Sequence, residues 1–549
     1  MVGDPICISE YPDFLPDIWY LVKDSTPGRH HGRLRKRRKN LKLYFLLDME
    51  ILDKIGLGFS VAVTLYNLLF CFIGVLIGTL VGVLPGLGPM AAISLLLPVT
   101  FKMPAVTAII MLAGIFYGAM YGGSTTSILV NIPGESASIV TCLDGYQMAR
   151  QGRAGRALGI SAFGSFIAGT LGVVGLMILA PFLGQAALSI GPPEYFALTF
   201  FGLTLVTSLS RGSTVKGLIM AILGLLAGCI GGDPISGAQR FTFGSFTLLD
   251  GLGIVPVAMG MFGIGEVLEN VASALSTKDV FKTKITGLLP TLQDWKDSFW
   301  PIIRGSVIGF FIGILPGPSV TIASFTSYAV EKKVSRYPEK FGTGVIEGVA
   351  GPEASNNAAT SGAFIPLVSL GIPANVTMAL FMGALMIHGI QIGPLFISQY
   401  PDVFWGFIVS MYIGNTMLLV LNLPLIGIWV KVLKIPYEIL FPLILLFCLV
   451  GVYTLNSNVM EIFIMIIFGF FGYLNRKIGF EGAPFILAMV LGPIMERCLR
   501  QSLLISHGSL DIFFTHPISA ILMSLGIASI IFSLFPNFMR KKRLIEEAQ

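Results

Sequence analysis

The sequence predicts an all-α polytopic membrane protein. Of its 549 residues, 54% are hydrophobic and only 12% are charged, whereas soluble proteins have about 25% charged residues. Apolar runs such as Val61–Leu84 and Met460–Leu474 approach or exceed the roughly 20 residues that a helix needs to cross a bilayer. Helices are expected because backbone groups in lipid must be paired within their own segment.

Residues 1–48 differ from the rest of the chain. They are polar, basic and proline-containing, and they lack the apolar core of a signal peptide. Two interpretations stay open: residues 1–48 form a disordered basic extension, or they result from a start-site artefact and the natural chain begins at Met49. The basic stretches His30–Lys42 and Arg540–Arg543 predict that both termini are cytoplasmic, since positive loops stay inside. This explains the net charge of +6 without nucleic-acid binding.

The membrane part contains about 12 hydrophobic segments in two halves. We expect a first membrane half at residues 49–275, a polar linker at 276–298, a second half at 299–538 and a basic cytoplasmic tail at 539–549.

The two halves repeat each other in sequence. GTLVGVLPG at Gly78–Gly86 aligns with GFFIGILPG at Gly309–Gly317. Farther along the chain, Tyr121–Ser136 aligns with Ser361–Val376. The separation between the aligned segments is nine positions greater in the second alignment than in the first, which predicts an insertion around Glu331–Lys340.

Loop charges predict that these repeats have inverted topology. Asp144–Arg156 carries three arginines, whereas its counterpart His388–Phe404 has no lysine or arginine. The bias is reversed for Glu331–Lys340, which is basic, and its counterpart after the first Pro-Gly pair, which has one lysine. Equivalent loops therefore favour opposite sides of the membrane.

Both repeats place a Pro-Gly pair inside an apolar run. Proline within a helix costs about 3 kcal/mol, so a repeated break indicates a function. A broken or re-entrant helix exposes N–H groups that attract an anion and C=O groups that can bind Na⁺. This arrangement is typical of secondary transporters.

Small and polar residues surround the breaks, at Gly122–Ser138, Gly351–Ala363 and Gly371–Thr377. Their hydroxyls and amides can bind a carboxylate or a cation. Tight helix packing is the alternative explanation, because Gly, Ser, Thr and Ala are common where membrane helices touch. Glu353 could bind a cation or carry a proton, or it could lie at a helix end in water. Asp144 is interpreted as a brace for a loop and not as a substrate contact.

The sequence closely resembles one family, the large membrane subunit (TctA type) of the bacterial tripartite tricarboxylate transporters. In the first half the resemblance rests on GTLVGVLPGLGP, YGGSTTSILVNIPGE and DGYQMARQGRAGRALG. In the second half it rests on GILPGPS, EGVAGPEASNNAATSGAFIPLVSLGIP and HGIQIGP. It extends from about Met49 to the C-terminus.

The resemblance implies secondary uptake of a carboxylate, such as citrate, across the bacterial cytoplasmic (inner) membrane. The partners would be a small four-helix membrane subunit and a periplasmic substrate-binding protein. Either Na⁺ or H⁺ would be the coupling ion, with no ATP hydrolysis and no cofactor. The absence of a GxxxxGK[ST] phosphate loop from the sequence agrees with this.

Carried over by position, the resemblance implies a substrate and ion region. To substrate binding we assign Pro85, Gly86, Gly88, Ser124, Thr125, Thr126, Asn131, Pro133, Gly134, Pro316, Gly317, Ser319, Ser355, Asn356, Asn357, Pro373 and Asn375. To ion coupling we assign Glu353, Thr360 and Ser361. No metal site is expected beyond that of a transported Na⁺. We expect the two broken-helix elements to move together past a fixed scaffold.

A self-sufficient sodium–dicarboxylate symporter is the alternative, since it would use similar helix ends without a binding protein. An intramembrane enzyme is not expected, because the sequence lacks both HExxH and the aspartate clusters that hold Mg²⁺–diphosphate.

Overall fold

The structure is a computed structural model, and it divides the chain into two units, Met1–Gly56 and Leu57–Gln549. It describes residues 53–84, 88–209, 213–233, 235–272, 287–433 and 437–534. The predictions for residues 1–48, for Pro85 and Gly86, for most of the linker and for the C-terminal tail lie outside the described residues. In the first unit, residues 53–56 are helical.

The first half of the second unit begins with a helical stretch at residues 57–62. Its further helices are α1 (Leu65–Val83), α2 (Pro89–Thr100), α3 (Ala105–Val130), α4 (Thr141–Arg150), α5 (Ala154–Ala187), α6 (Pro192–Ser208), α7 (Thr214–Gly228) and α8 (Ile254–Ala272). A 3-10 turn at Ser136–Ile139 precedes α4, and the middle of α8 is a π-helix at Met259–Ile264. A two-stranded antiparallel hairpin, Gly231–Gly232 with Gln239–Arg240, and a 3-10 turn at Thr247–Asp250 connect α7 to α8.

The second half continues with α9 to α20 and a 3-10 turn at Pro338–Lys340. These helices are α9 (Leu292–Ile314), α10 (Ser319–Val334), α11 (Glu347–Leu370), α12 (Val376–Ile387), α13 (Phe396–Gln399), α14 (Pro401–Asn422), α15 (Ile426–Val432), α16 (Tyr437–Asn456), α17 (Val459–Lys477), α18 (Ala483–Ile505), α19 (Ile512–Thr515) and α20 (Pro517–Leu534).

Seven described helices are long and apolar enough to cross a membrane: α1, α3, α5, α8, α9, α14 and α17. Shorter apolar helices include α2, α7 and α12. The chain is therefore an all-α multi-pass membrane protein in its described part, while the total of about 12 segments stays a prediction.

In both repeats a described helix ends just before the Pro-Gly pair and another begins just after it. In the second repeat, α9 ends where Leu315 becomes extended, and Gly317 takes a φ of 131° before α10 begins. Only glycine adopts that conformation without strain. In the first repeat, Leu84 is likewise extended, and α2 restarts with Pro89 at its first position, where a missing N–H costs nothing.

A second pair of breaks follows α3 and α11. Asn131 ends α3 with a φ of 58°, and Gly371 ends α11 with a φ of 70°. Both are left-handed caps, a conformation that Gly adopts without strain and that Asn tolerates better than most residues. Asn131 and Gly371 are equivalent positions of the second sequence alignment, so the structure repeats the correspondence found in the sequence.

The packing of α1 on α3 is repeated by α9 on α11. Gly74, Gly78 and Gly82 lie against the backbone of Met111, Ile115 and Ala119, so closely that an added Cβ would strike a carbonyl oxygen. Gly305, Gly309 and Gly313 lie in the same way against Gly351, Ser355 and Ala359. Every one of these contacts has its counterpart at the equivalent position of the other repeat. Each repeat thus contains a helix pair in backbone contact.

Two basic segments, residues 144–156 and 331–346, contact each other, and we call the surface that they form the basic face. The Gln151 side-chain amide donates to the carbonyl of Thr343 at 2.7 Å, and Arg153 donates to the carbonyl of Gly344 at 3.1 Å. Asp144, which is fully buried, accepts the backbone N–H groups of Gly342, Gly344 and Val345 and the hydroxyl of Tyr328. The interpretation of Asp144 as a loop brace is confirmed.

Candidate functional site

A hollow of about 500 Å³ lies where the broken segments of both repeats meet. Within the second repeat, the N–H of Gly317 donates to the carbonyl of Ala374 at 2.8 Å. Between the repeats, the side-chain hydroxyls of Ser136 and Thr321 are 2.8 Å apart. Of the residues assigned to the substrate from the sequence, six line this hollow: Gly88, Pro133, Gly134, Gly317, Ser319 and Asn375.

Three helices begin at the wall of the hollow. The first residues of α2, α10 and α12 all line it, at Gly88–Met90, Ser319–Thr321 and Asn375–Thr377. First-turn N–H groups have no partner within their own helix, and together they carry about half a positive charge per helix. Three such ends around one cavity favour an anion.

Two equivalent residues cap the segments after the second pair of breaks. The Asn375 side chain accepts the N–H of Met378, at the start of α12. Glu135, which occupies the equivalent position of the first repeat, accepts the N–H of Ala137 at the start of the 3-10 turn. One repeat therefore brings an amide to the hollow and the other a carboxylate.

The hollow also contains an arginine that the sequence analysis did not select. Arg476, in the last turn of α17, pairs with Glu269 at 2.9 Å and with Glu266 at 3.5 Å. Arg476, Glu266 and Glu481 all line the hollow. Two signals in the sequence could have identified these residues: Arg476 stands at the end of an apolar run, and Glu266 stands inside another.

A second polar group lies inside the helix pairs and does not line the hollow. Glu353 on α11 is fully buried, and its carboxylate accepts the hydroxyls of Ser124 on α3 and Thr141 on α4. The Asn357 amide donates to Ser165 at 2.7 Å and to the Glu353 carbonyl at 3.0 Å. The structure therefore brings Ser124, Glu353 and Asn357 together and excludes Glu353 from water.

Asn356, on the same helix as Glu353, contacts a residue that lines the hollow. Its amide donates to Oε1 of Glu135, which lines the hollow, at 3.3 Å. Its own Oδ1 is buried and has no hydrogen-bond partner within the described ranges, like the hydroxyls of Ser319, Ser355 and Ser361 and buried polar atoms elsewhere in the described chain. Of these four residues, only Ser319 lines the hollow.

The remaining assigned residues that the structure describes lie outside the hollow lining. Asn131 is exposed and serves as the cap of α3. The Thr126 hydroxyl donates to the Val83 carbonyl at 2.7 Å, and the Thr360 hydroxyl donates to Asn357 of its own helix at 2.6 Å. Thr125, Pro316 and Pro373 are adjacent to site residues in sequence but do not line the cavity.

A larger cavity of about 730 Å³ reaches Leu370 and Gly371, at the end of α11. Its wall includes the loop from Ile230 to Asp233 and the side chains of Arg240 and Glu496. Arg240 pairs with Asp233 at 2.7 Å and with Glu496 at 2.9 Å. This cavity meets only one of the break regions, so the smaller hollow is the better candidate site. Across the described ranges, no cluster of three or more His, Cys, Asp or Glu side chains could hold a metal ion.

Comparison with known proteins places these features in a family. Residues 68–487 match the tripartite tricarboxylate transporter TctA family. An uncharacterized 52.8 kDa protein in the TAR-I ttuC' 3' region of Agrobacterium vitis is 49% identical over 494 residues, which cover 90% of this chain and 98% of that protein. An uncharacterized protein in the TAR-II ttuC' 3' region of the same organism is 49% identical over 234 residues, which cover 43% of this chain and 97% of that protein. No solved structure matches.

Proposed function

Because the chain belongs to the tripartite tricarboxylate transporter TctA family, we propose that it is the large membrane subunit of a cation-driven carboxylate uptake system. A periplasmic binding protein would deliver the carboxylate, a tricarboxylate such as citrate or a related organic acid. A small four-helix membrane subunit would complete the transporter in the bacterial cytoplasmic membrane, with both termini in the cytoplasm.

The observation that carries this proposal is the hollow between the broken segments. The starts of α2, α10 and α12 and the guanidinium of Arg476 face one cavity of about 500 Å³. This volume lies within the range of about 300–1,000 Å³ in which small-molecule sites fall. Helix ends supply positive potential without the cost of burying further charged side chains.

Coupling to a cation is supported by the buried carboxylate of Glu353. The Ser124 and Thr141 hydroxyls that contact it are oxygen ligands of the kind that hard cations prefer. A proton on Glu353 would serve the same purpose. Thr360 and Ser361, assigned to the same role, lie two turns further along α11, and we now centre ion coupling on Glu353.

Alternating access would use the glycine-packed helix pairs as moving bodies. Since α1 and α3 touch through backbone, and α9 and α11 do the same, each pair would move as one body. The contact between the basic loops supports inverted topology, because the two segments come from non-equivalent positions of the repeats. The basic face would be cytoplasmic.

Reconstituted uptake tests the proposal. The chain, the small subunit and the binding protein are expressed together, and uptake of labelled citrate, succinate and malate is measured with and without Na⁺ and with a proton gradient. We expect uptake of at least one carboxylate, dependent on one gradient and on the binding protein. Equal uptake by this chain alone would support a self-sufficient sodium–dicarboxylate symporter, and no gradient-dependent uptake of any of the three would contradict the proposal.

A further inference from the structure

Arg476 is the only lysine or arginine among the described residues that line the hollow. Its side chain is one-quarter exposed, and it bonds to Glu269, which is about half exposed, at 2.9 Å. Its contact with the better buried Glu266 is longer, at 3.5 Å. Charge-assisted N–H···O bonds are usually about 2.7–2.9 Å long, so the guanidinium pairs more closely with the outer glutamate.

Glu266 lies between two groups that bind anions. One is Arg476, and the other is the start of α2, where the backbone N–H of Gly88 bonds to the Glu266 carboxylate. A carboxylate of the protein therefore occupies a position suited to a carboxylate of a ligand. A guanidinium matches a planar carboxylate through two parallel N–H···O bonds.

We propose that Arg476 binds a carboxylate group of the transported anion at the position that the Glu266 carboxylate occupies while the hollow is empty, and that Glu269 keeps its ion pair with the arginine in both states. The proposal rests on the function proposed above. Substrate would replace Glu266 at the guanidinium, which exchanges one carboxylate partner for another without leaving the arginine unpaired.

The charges of the hollow favour this position over others. Glu135, Glu266 and Glu481 line the same cavity, so an anion entering it meets more carboxylates than guanidinium groups. Like charges at short range repel. Among the lining side chains that the structure describes, only Arg476 offers fixed positive charge, and we expect the anion to orient with a carboxylate toward it.

If the ion pair between α8 and α17 is purely structural, the variants should affect carboxylate affinity in a different pattern. If the pair only joins the helices, Arg476→Gln and Glu266→Gln remove the same interaction and act in the same direction. If Glu266 competes with substrate, the two variants have opposite effects on affinity. Arg476→Lys keeps the charge but loses the planar fork, so it should lie between the wild type and Arg476→Gln.

Titration of the purified chain with citrate, succinate and malate, followed by its thermal stabilisation, tests the proposal. We expect Arg476→Gln to raise the half-saturating concentration about ten-fold or more, and Glu266→Gln to lower it. The matched control Lys477→Gln changes the neighbouring, exposed lysine of the same turn and should leave the concentration unchanged.

Unchanged half-saturation in Arg476→Gln, or a shift in the same direction for Arg476→Gln and Glu266→Gln, would overturn the proposal. If no carboxylate stabilises the wild type and reconstituted uptake also fails, the proposed function itself is wrong. Uptake by the wild type with an unaffected Arg476→Gln variant would overturn only the role of this arginine.

Discussion

The side-chain amide of Asn356 donates a hydrogen bond to Oε1 of Glu135, with 3.3 Å between the two atoms. Asn356 belongs to the second repeat and Glu135 to the break in the first, so this bond connects the two repeats beside the hollow. A typical intramolecular hydrogen bond is worth about 0.5–1.5 kcal/mol.

Asn356→Ala should therefore lower uptake by about two- to ten-fold without loss of membrane insertion. The reason is that Oε1 of Glu135 loses its donor, so the N–H of Ala137, which bonds to the other oxygen, alone orients the carboxylate at the cavity wall. The control is Asn422→Ala, since Asn422 is also buried but donates within its own helix, to Leu418 at 3.0 Å. Full transport by Asn356→Ala would remove this residue from the site.

Glu353→Gln should abolish gradient-driven uptake but keep exchange of substrate across the membrane. A glutamine cannot carry a proton and gives no negative charge to a Na⁺ ion, while its size preserves the packing. Labelled-substrate accumulation and counterflow are measured in the same vesicles. Glu347→Gln, in the first turn of the same helix, is the control, and normal accumulation by Glu353→Gln would rule out coupling at this carboxylate.

Gly78→Val and Gly309→Val should each lower the melting temperature of the purified chain. An added side chain would meet the backbone of Ile115 in the first case and of Ser355 in the second, and overpacking typically costs about 1–3 kcal/mol. Gly427→Val is the control, because nothing lies within 4 Å of its Cβ position. If both variants have the same melting temperature as the control, the helix pairs are not in backbone contact.

Asp144→Asn should destabilise the basic face. The carboxylate accepts three backbone N–H groups and one hydroxyl, and an amide can accept at only one of its two ends. Thermal melting is compared with Asp297→Asn, whose carboxylate accepts the exposed Gln293 side chain at 2.8 Å. Equal melting of the two variants would show that the loop does not depend on Asp144.

The loop between α7 and α8 should keep its ion pairs across the physiological pH range. The Ser236 hydroxyl, the N–H of Ile235 and the guanidinium groups of Arg500 and Arg240 lower the pKa of Asp233 below its ordinary value of 3.8. Because the pKa is lowered on folding, the stabilisation is full above that value and is lost as the pH falls through the folded pKa.

The difference in melting temperature between the wild type and Asp233→Asn should therefore stay constant between about pH 5 and 8. Melting curves at several pH values in that interval provide the measurement. A difference that changes with pH within the interval would mean that Asp233 titrates there.

The breaks and their repetition could be predicted from sequence because they depend on local chemistry. Proline and glycine restrict the backbone wherever they stand, so GVLPG and GILPG identify helix ends without knowledge of the fold. The left-handed caps at Asn131 and Gly371 belong to the same class. Six of the substrate residues assigned by position from the family resemblance line the hollow.

The division of the polar residues between two places could not be predicted in this way. Ser124 and Asn375 look equally suited to a ligand in sequence, but Ser124 faces Glu353 inside the helix pairs and Asn375 lines the cavity. Ser124 lies on α3, which packs through glycines on α1, whereas Asn375 is the N-cap residue of α12, and only the fold separates these two environments. Arg476 was missed because its partners Glu266 and Glu269 belong to the other half of the chain, and only the fold brings them together.

The loop at residues 335–346 makes the two repeats structurally unequal. Its counterpart between α2 and α3 is the short segment Phe101–Pro104, which offers no equivalent of the three amides that surround Asp144. In a hypothetical dimer of two identical first repeats, the equivalent of Asp144 would be buried without these backbone donors. The two repeats are therefore complementary. If the polypeptide were cut in the linker, we expect the hydrogen bonds between Asp144 and the loop at residues 335–346 to hold the two fragments together.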